Sequence, residues 1–260
     1  ISADFFDLPE NKKKAYEDLE LKGQRGFTSF GREHAKDQKA PDLKEFWHVG
    51  RALPAGHRLS GSMPPNLTVT EIPDFNAKTY ALYQSLDALG LRVLSGIAVY
   101  LGLAPDFFDG KVKEGNSILR LLHYPPVEGP AKGIRAEAHE DINTITLLLG
   151  AEEAGLEILD KDGSWLPVSP PPGAMAVNVG DMLQRLTNHR LPSTTHRVIN
   201  PPPERRHIPR YSMPFFLHLA SDFEIKTLPG CVDEAHPDLC PQPITADDYL
   251  QQRLVEIGLK

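Results

Sequence analysis

A histidine and an aspartate stand two positions apart in AHEDINTITLLL, residues 138–149. On a strand, side chains at i and i+2 point to the same face. His139 and Asp141 can therefore offer an imidazole nitrogen and a carboxylate oxygen to one ion. A third donor must come from elsewhere, and His196 in THRVIN meets that need from another expected strand. Two imidazoles and one carboxylate on one side of a metal leave its other positions open. That arrangement suits a non-haem iron centre able to take an organic molecule and dioxygen together. In a chain with 10 histidines an isolated HxD also fits a strand-edge histidine beside a turn aspartate. Arg210 and Ser212 in RYS add weight, because they too share a strand face and follow soon after His196. A guanidinium presents a planar fork of donors to a carboxylate, and the serine hydroxyl adds another contact. A dicarboxylate could then reach from Arg210 to the metal.

These side chains need a frame. From about Ser117 the sequence breaks into short β-rich runs: SILRLLHY, TITLLLG, LEILD, WLPVS, AMAVNVGD, THRVIN and RYSMPFFLH. Glycine, proline, asparagine and aspartate separate them, the pattern of a sandwich or barrel of many short strands. The threonine–leucine run after Asp141 reads as the strand that holds His139 and Asp141 on one face. The first hundred residues read as mainly helical. LPENKKKAYEDLELK is an expected helix, followed by a loop from Gly23 to about Ala40 and a second from Pro54 to Pro65. DFNAKTYALYQSLDALGLRVLSGIAVYLGL reads as one long amphipathic helix, with apolar residues at three- and four-residue steps. TADDYLQQRLVEIGL reads as a closing helix with Thr245 as its N-cap. PPVEGPAKG, SPPPG and NPPPERRHIP read as turns or loops. Helices, then strands, then a helix argue for a β-sandwich core with a helical buttress and against alternating βαβ units.

Composition narrows the function classes. The 260 residues suffice for a substantial core, and 40% hydrophobic with 24% charged residues is ordinary for a globular protein. A formal net charge of −7 argues against a nucleic-acid partner or an anionic membrane surface. No apolar run approaches the roughly 20 residues that span a bilayer. ISADFFDLPENKKK shows no signal-peptide pattern. The two cysteines, Cys231 and Cys240, form no CxxC pair and are expected as free thiols in a reducing cytoplasm. No GxSxG elbow, GxGxxG or P-loop is present, so nucleophilic-serine and nucleotide chemistry lack support.

The HED…H…RYS series resembles the HxD…H…RxS pattern of 2-oxoglutarate/Fe(II)-dependent dioxygenases. The flanking text is similar to the isopenicillin N synthase-like branch of that superfamily. The similarity covers DLKEFWHVGR (42–51), LRLLHYPP (119–126), the run GLEILDKDGSWLPVSPPPGAMAVNVGDMLQRLTN (155–188), RYSMPFFLH (210–218) and DDYLQQRLVEIGL (247–259). The resemblance implies a mainly β fold: a double-stranded β-helix, or jelly roll, with N-terminal helices and a C-terminal helix. It implies an N-terminal helical region over 1–113 that is truncated at its start, a core over 114–222 and a C-terminal extension over 223–260. It implies Fe(II) held by His139, Asp141 and His196, 2-oxoglutarate held by Arg210 and Ser212, and assistance from Tyr124. Dioxygen is the other reactant, with ascorbate as an accessory reductant. The implied reaction is oxidation of a small organic substrate by hydroxylation, desaturation or ring closure, with release of succinate and CO2. The sequence departs from the pattern at Leu122, where plant members often carry asparagine two places before the tyrosine.

Other residues admit two readings. Asn178 and Asp181 match the family, and a tight turn at Gly180 explains them equally. Asn143 could orient a metal ligand or cap a turn. His123 and His189 read as structural or surface histidines. Trp47, His48 and Arg51 could line a substrate mouth, whereas Trp47 could equally anchor the core. Leu147, Leu149 and Val198 are expected in the apolar surroundings of the site. Two alternatives stay open: an iron enzyme of the same fold that does not use 2-oxoglutarate, and a silent jelly-roll module that binds a ligand or a metal.

Overall fold

The structure is a computed structural model that describes residues 1–21, 23–32, 42–127, 133–149 and 154–256. Part of the expected loop before Ala40, part of PPVEGPAKG and the last residues of the expected closing helix lie outside the described residues. In chain order the strands are β1 (Gly26–Thr28), β2 (Glu45–Gly50), β3 (Ile118–Tyr124), β4 (Ala136–His139), β5 (Ile145–Leu149), β6 (Leu156–Leu159), β7 (Trp165–Pro167), β8 (Met175–Val179), β9 (His196–Val198), β10 (Arg210–Leu217), β11 (Glu224–Ile225) and β12 (Ile244–Thr245). The α-helices are α1 (Ser2–Phe6), α2 (Glu10–Lys14), α3 (Phe75–Tyr100), α4 (Asp109–Val112), α5 (Asp181–Leu186) and α6 (Ala246–Glu256).

One sheet has the order β1-β2-β3-β10-β5-β8 and a second the order β4-β9-β6-β7, with β11 and β12 as a separate pair. Neighbouring strands run antiparallel. The two main sheets close over a common interior, where Phe46, Leu122 and Tyr124 of the larger pack with Ala136 and Val198 of the smaller. This is the mainly β, jelly-roll architecture with a helical buttress. Helix α3 supplies the buttress and packs on β10, β2 and β5. It buries Phe75, Thr79, Tyr83, Leu86, Gly90, Leu94 and Ala98, a stripe at three- and four-residue steps. Thr245 caps α6 as expected: its Oγ1 accepts the Asp248 N–H at 3.1 Å.

Three expectations about the fold need correction. The amino-terminal hundred residues are not mainly helical throughout, because β1 and β2 extend the larger sheet and β2 pairs with β3 along its whole length. All six residues of β2 are buried, so no polar–apolar alternation marked EFWHVG as a strand. The expected helix over LPENKKKAYEDLELK shrinks to α2, because Tyr16 leaves the helical path. Its carbonyl accepts the Phe27 N–H at 3.1 Å, and its hydroxyl donates to Glu71.

The threonine–leucine run also plays a different part. It does not carry His139 and Asp141. His139 is the last residue of β4 in the smaller sheet, Asp141 lies just beyond that strand, and TITLLL forms β5 in the larger sheet.

Candidate active site

Strand pairing brings two of the expected donors together. His139 and His196 are Cα partners across β4 and β9, with ring centroids 4.4 Å apart. The turn after β4 adds Asp141, whose Oδ1 lies 3.8 Å from His196 Nε2. One donor atom from each of the three lies within 4.8 Å of the others, close enough for a single ion to bridge them.

Hydrogen bonds outside the cluster fix which atoms face its centre. His139 Nδ1 donates to the Glu137 carbonyl at 2.6 Å, and His196 Nδ1 donates to the Thr194 carbonyl at 3.0 Å. Each ring thus keeps its proton on Nδ1 and leaves the Nε2 lone pair for a metal. Asp141 Oδ2 accepts from Thr146 Oγ1 at 2.6 Å and from Asn178 Nδ2 at 2.8 Å, which leaves Oδ1 facing His196. Asn143 acts one step back, donating to Thr146 Oγ1 at 3.1 Å and to the Ile145 carbonyl at 2.6 Å.

Burial, with the charge of His196, holds the His139 imidazole down to about 4, so it is neutral near pH 7. Burial also opposes ionisation of Asp141. The charges of His196 and His139 and the bonds from Asn178 and Thr146 outweigh it and keep the carboxyl below its ordinary value. A neutral His139 imidazole and an ionised Asp141 carboxylate are donor forms that a divalent metal requires.

The three donors open onto a cavity of about 340 Å³ between the sheets. Arg210, Ser212 and Tyr124 line the same cavity, so all six expected site residues converge on it. Arg210 Nη1 donates to Ser212 Oγ at 3.2 Å, and the guanidinium lies 5.1 Å from the Tyr124 ring centroid. Arg210 stands opposite Tyr124, and Ser212 opposite Leu122, across β10 and β3. Leu122 is apolar cavity wall, so no amide reaches a ligand from that position. Val198 lines the cavity as expected, whereas Leu147 and Leu149 belong to the core on the other face of β5.

The remaining candidates separate cleanly. Asn178 and Thr146 hold Asp141. Asp181 starts α5, and its N–H donates to the Asp141 carbonyl at 2.8 Å. Its own carboxylate meets Arg253 at 3.1 Å, and burial pushes that carboxyl up to about 6. Gly180 is required at this junction because a Cβ there would lie 2.2 Å from the Asn143 carbonyl oxygen. His123 is buried in a structural pair, with Nδ1 at 2.7 Å from Glu45, and His189 is exposed. Trp47 is a core anchor against Phe5, Tyr16 and Phe75, and Arg51 pairs with Asp87 at 2.8 Å. Neither these two nor His48 lines the cavity. Sequence reasoning passed over Thr146, Lys44 and Arg120, all of which do. For Thr146 and Arg120 the signal available was their placement two residues before Leu148 and Leu122, which line the same cavity; Lys44 carried none.

Comparison with known proteins decides the family. The model of the 2OG-Fe(II) oxygenase superfamily matches residues 115–219, and that of the non-haem dioxygenase in morphine synthesis N-terminal matches residues 1–71. A 2-oxoglutarate-Fe(II) type oxidoreductase of Emericella nidulans, hxnY, is 35% identical over 95% of this chain and 72% of its own. This chain belongs to the 2-oxoglutarate/Fe(II) oxygenase superfamily. A crystal structure assigned to the same oxygenase family, from Caulobacter crescentus, aligns with the oxygenase at a TM-score of 0.91 and 59% identity, covering 98% of this chain and 83% of that one. A Neurospora crassa protein crystallised in complex with alpha-KG and thymine aligns at a TM-score of 0.84 and 32% identity, covering 98% and 80%. The oxygenase is therefore an oxidoreductase that uses Fe(II) and 2-oxoglutarate on a small organic substrate. The silent-module reading and the reading without 2-oxoglutarate give way to it. Among the described residues no helix is long and apolar enough to cross a membrane.

Proposed function

We propose that His139 and His196, through Nε2, and Asp141, through Oδ1, hold the Fe(II) of this oxygenase, and that Arg210, Ser212 and Tyr124 hold 2-oxoglutarate. The observation that carries this reading is the convergence of all six side chains on one cavity, with each histidine's Nδ1 already committed to a carbonyl. Fe(II) with 2-oxoglutarate and dioxygen supplies oxidation of a carbon–hydrogen bond, with release of succinate and CO2. The chain's own residues do the positioning. Arg210 pairs with the far carboxylate, Ser212 adds its hydroxyl, and the Tyr124 ring backs the guanidinium. Leu122, Val198 and Ala136 keep that part of the cavity apolar and strengthen those charged contacts.

The match of the N-terminal model over 1–71, together with RYSMPFF, supports placing the chain in the isopenicillin N synthase-like branch. Cys231 and Cys240 are free thiols, which supports a reducing, cytoplasmic setting. Turnover of 2-oxoglutarate to succinate tests the assignment. The wild type should form succinate only with added Fe(II). His139→Ala and Asp141→Ala should form none, and Arg210→Met should need roughly 10-fold or more 2-oxoglutarate. Succinate formation undiminished in His139→Ala would refute the ligand assignment.

A further inference from the structure

The cavity holds a second arginine that the cosubstrate reading leaves unassigned. Arg120 lies on β3, on the same face as Leu122 and Tyr124, and lines the cavity while half-buried. It stands four residues from Tyr124, the cross-strand partner of Arg210, which separates the two arginines along the sheet by roughly 13 Å at 3.3 Å per residue.

Each arginine is turned to its own end. Arg210 meets Ser212 and Tyr124. Arg120 meets Phe46 at 4.0 Å and Phe216 at 5.3 Å from the guanidinium carbon to the ring centroids. Phe216 is the register partner of Thr146, which in turn faces Asn178 across β5 and β8. Thr146 and Asn178 are the two residues that hold Asp141, so Phe216 and Arg120 wall the metal side of the cavity. Two aromatic faces and a donor bond fix the plane of the guanidinium: Arg120 Nε donates to His48 Nε2 at 2.6 Å. His48 can accept there because its Nδ1 donates to the Gly23 carbonyl at 2.5 Å. Lys44, the remaining cation of the wall, is balanced by Asp42 at 2.7 Å.

We infer that Arg120 selects the primary substrate, donating to an oxygen acceptor on a small flat molecule whose face rests on Phe216. The inference rests on the proposed placement of Fe(II) and 2-oxoglutarate. A fixed guanidinium rewards a carboxylate or carbonyl oxygen in its plane, and a half-buried phenyl ring beside it rewards a flat ring. The guanidinium repels a cationic ligand brought to the same place, whereas the phenyl face accepts either a flat ring or a cation.

The test uses the full chain loaded with Fe(II) and 2-oxoglutarate without oxygen. The metal-to-cosubstrate absorption band is followed while flat acceptor-bearing probes (benzoate, nicotinate and uracil) and flat benzylamine are added. At least one acceptor probe should perturb the band and, with oxygen, stimulate succinate formation, while benzylamine should do neither. In Arg120→Gln the affinity for that probe should fall roughly 10-fold or more. In Arg120→Lys and Phe216→Leu it should fall less steeply. The 2-oxoglutarate titration of each variant should stay near the wild-type midpoint, which also shows that the variant has folded. Failure of the wild type to form the band overturns the cosubstrate reading itself. With the band formed, the inference is overturned if no acceptor probe binds, if benzylamine binds better, if Arg120→Gln keeps its probe affinity, or if that variant loses 2-oxoglutarate in equal measure.

Discussion

Asp141 is the residue on which most of the site's polar order converges. Thr146 and Asn178 both donate to its Oδ2, so the orientation of Oδ1 is set from outside the donor cluster. Removing either donor should leave the fold intact and loosen the metal. We expect Asn178→Ala or Thr146→Val to weaken Fe(II) or Co(II) binding roughly 10–100-fold, read by direct titration. Binding of 2-oxoglutarate at saturating metal should change far less. Unchanged metal affinity in both variants would mean that Asp141 is held by its backbone alone. A second expectation concerns His218, buried at the end of β10, whose imidazole is held down to about 4 by burial, with Asp141 opposing. Its folded value lies below the ordinary one, so below about 6.5 the unfolded chain takes up the proton more readily than the folded one. Stability is then full above that pH and declines as pH falls toward 4. Denaturant titrations across this window should show a shallower pH slope in His218→Asn than in the wild type. An identical slope would mean that other groups account for the acid loss.

At the scale of elements, the junction of β8 and α5 couples the fold to the site. Gly180 N–H donates to the Thr144 carbonyl at 3.0 Å, and the N–H groups of Asp181 and Met182 reach Asp141 and Asn143. This clamps the turn that carries Asp141. A methyl at Gly180 collides with backbone, which cannot move aside as a side-chain tip would. Gly180→Ala should cost about 1–3 kcal/mol and lower both the thermal midpoint and metal affinity. A variant with wild-type stability would show that the turn is slack. The same elements show what could be read in advance. His139, Asp141 and His196 stand out because the residue types and strand-like spacing are local. Strands β5 through β10 stand out because polar turns punctuate them. Strand β2 was not legible because it is buried throughout and does not alternate. The division of AHEDINTITLLL between two sheets was not legible either, because sheet membership depends on pairing with distant β9 and β10. Thr146 and Arg120 were missed for a related reason: their partners, Asp141 and Asn178 for one and His48 for the other, meet only after folding.

At the scale of the molecule, the two ends of the chain brace the jelly roll. The amino-terminal segment adds β1 and β2 to the larger sheet, and Lys13 reaches the buried Glu45 at 2.8 Å. The carboxy-terminal helix α6 docks through Arg253 onto Asp181, whose N–H bonds the turn that carries Asp141. Asp181 is buried while Arg253 keeps partial access to solvent, so loss of the arginine leaves a carboxylate without its ion-pair partner. Arg253→Met should destabilise the protein by about 1–3 kcal/mol, and Asp181→Asn in the same chain should recover part of it. Additive losses in the double variant would show that the pair does not couple. The central claim, that one cavity holds Fe(II) on His139, Asp141 and His196 with 2-oxoglutarate running to Arg210, is tested most directly by anaerobic titration of the Fe(II) protein with 2-oxoglutarate. A visible charge-transfer band that saturates at one equivalent, disappears in His139→Ala and shifts to roughly 10-fold or more higher 2-oxoglutarate in Arg210→Met is the predicted result. A band with the wild-type midpoint in both variants would contradict the account.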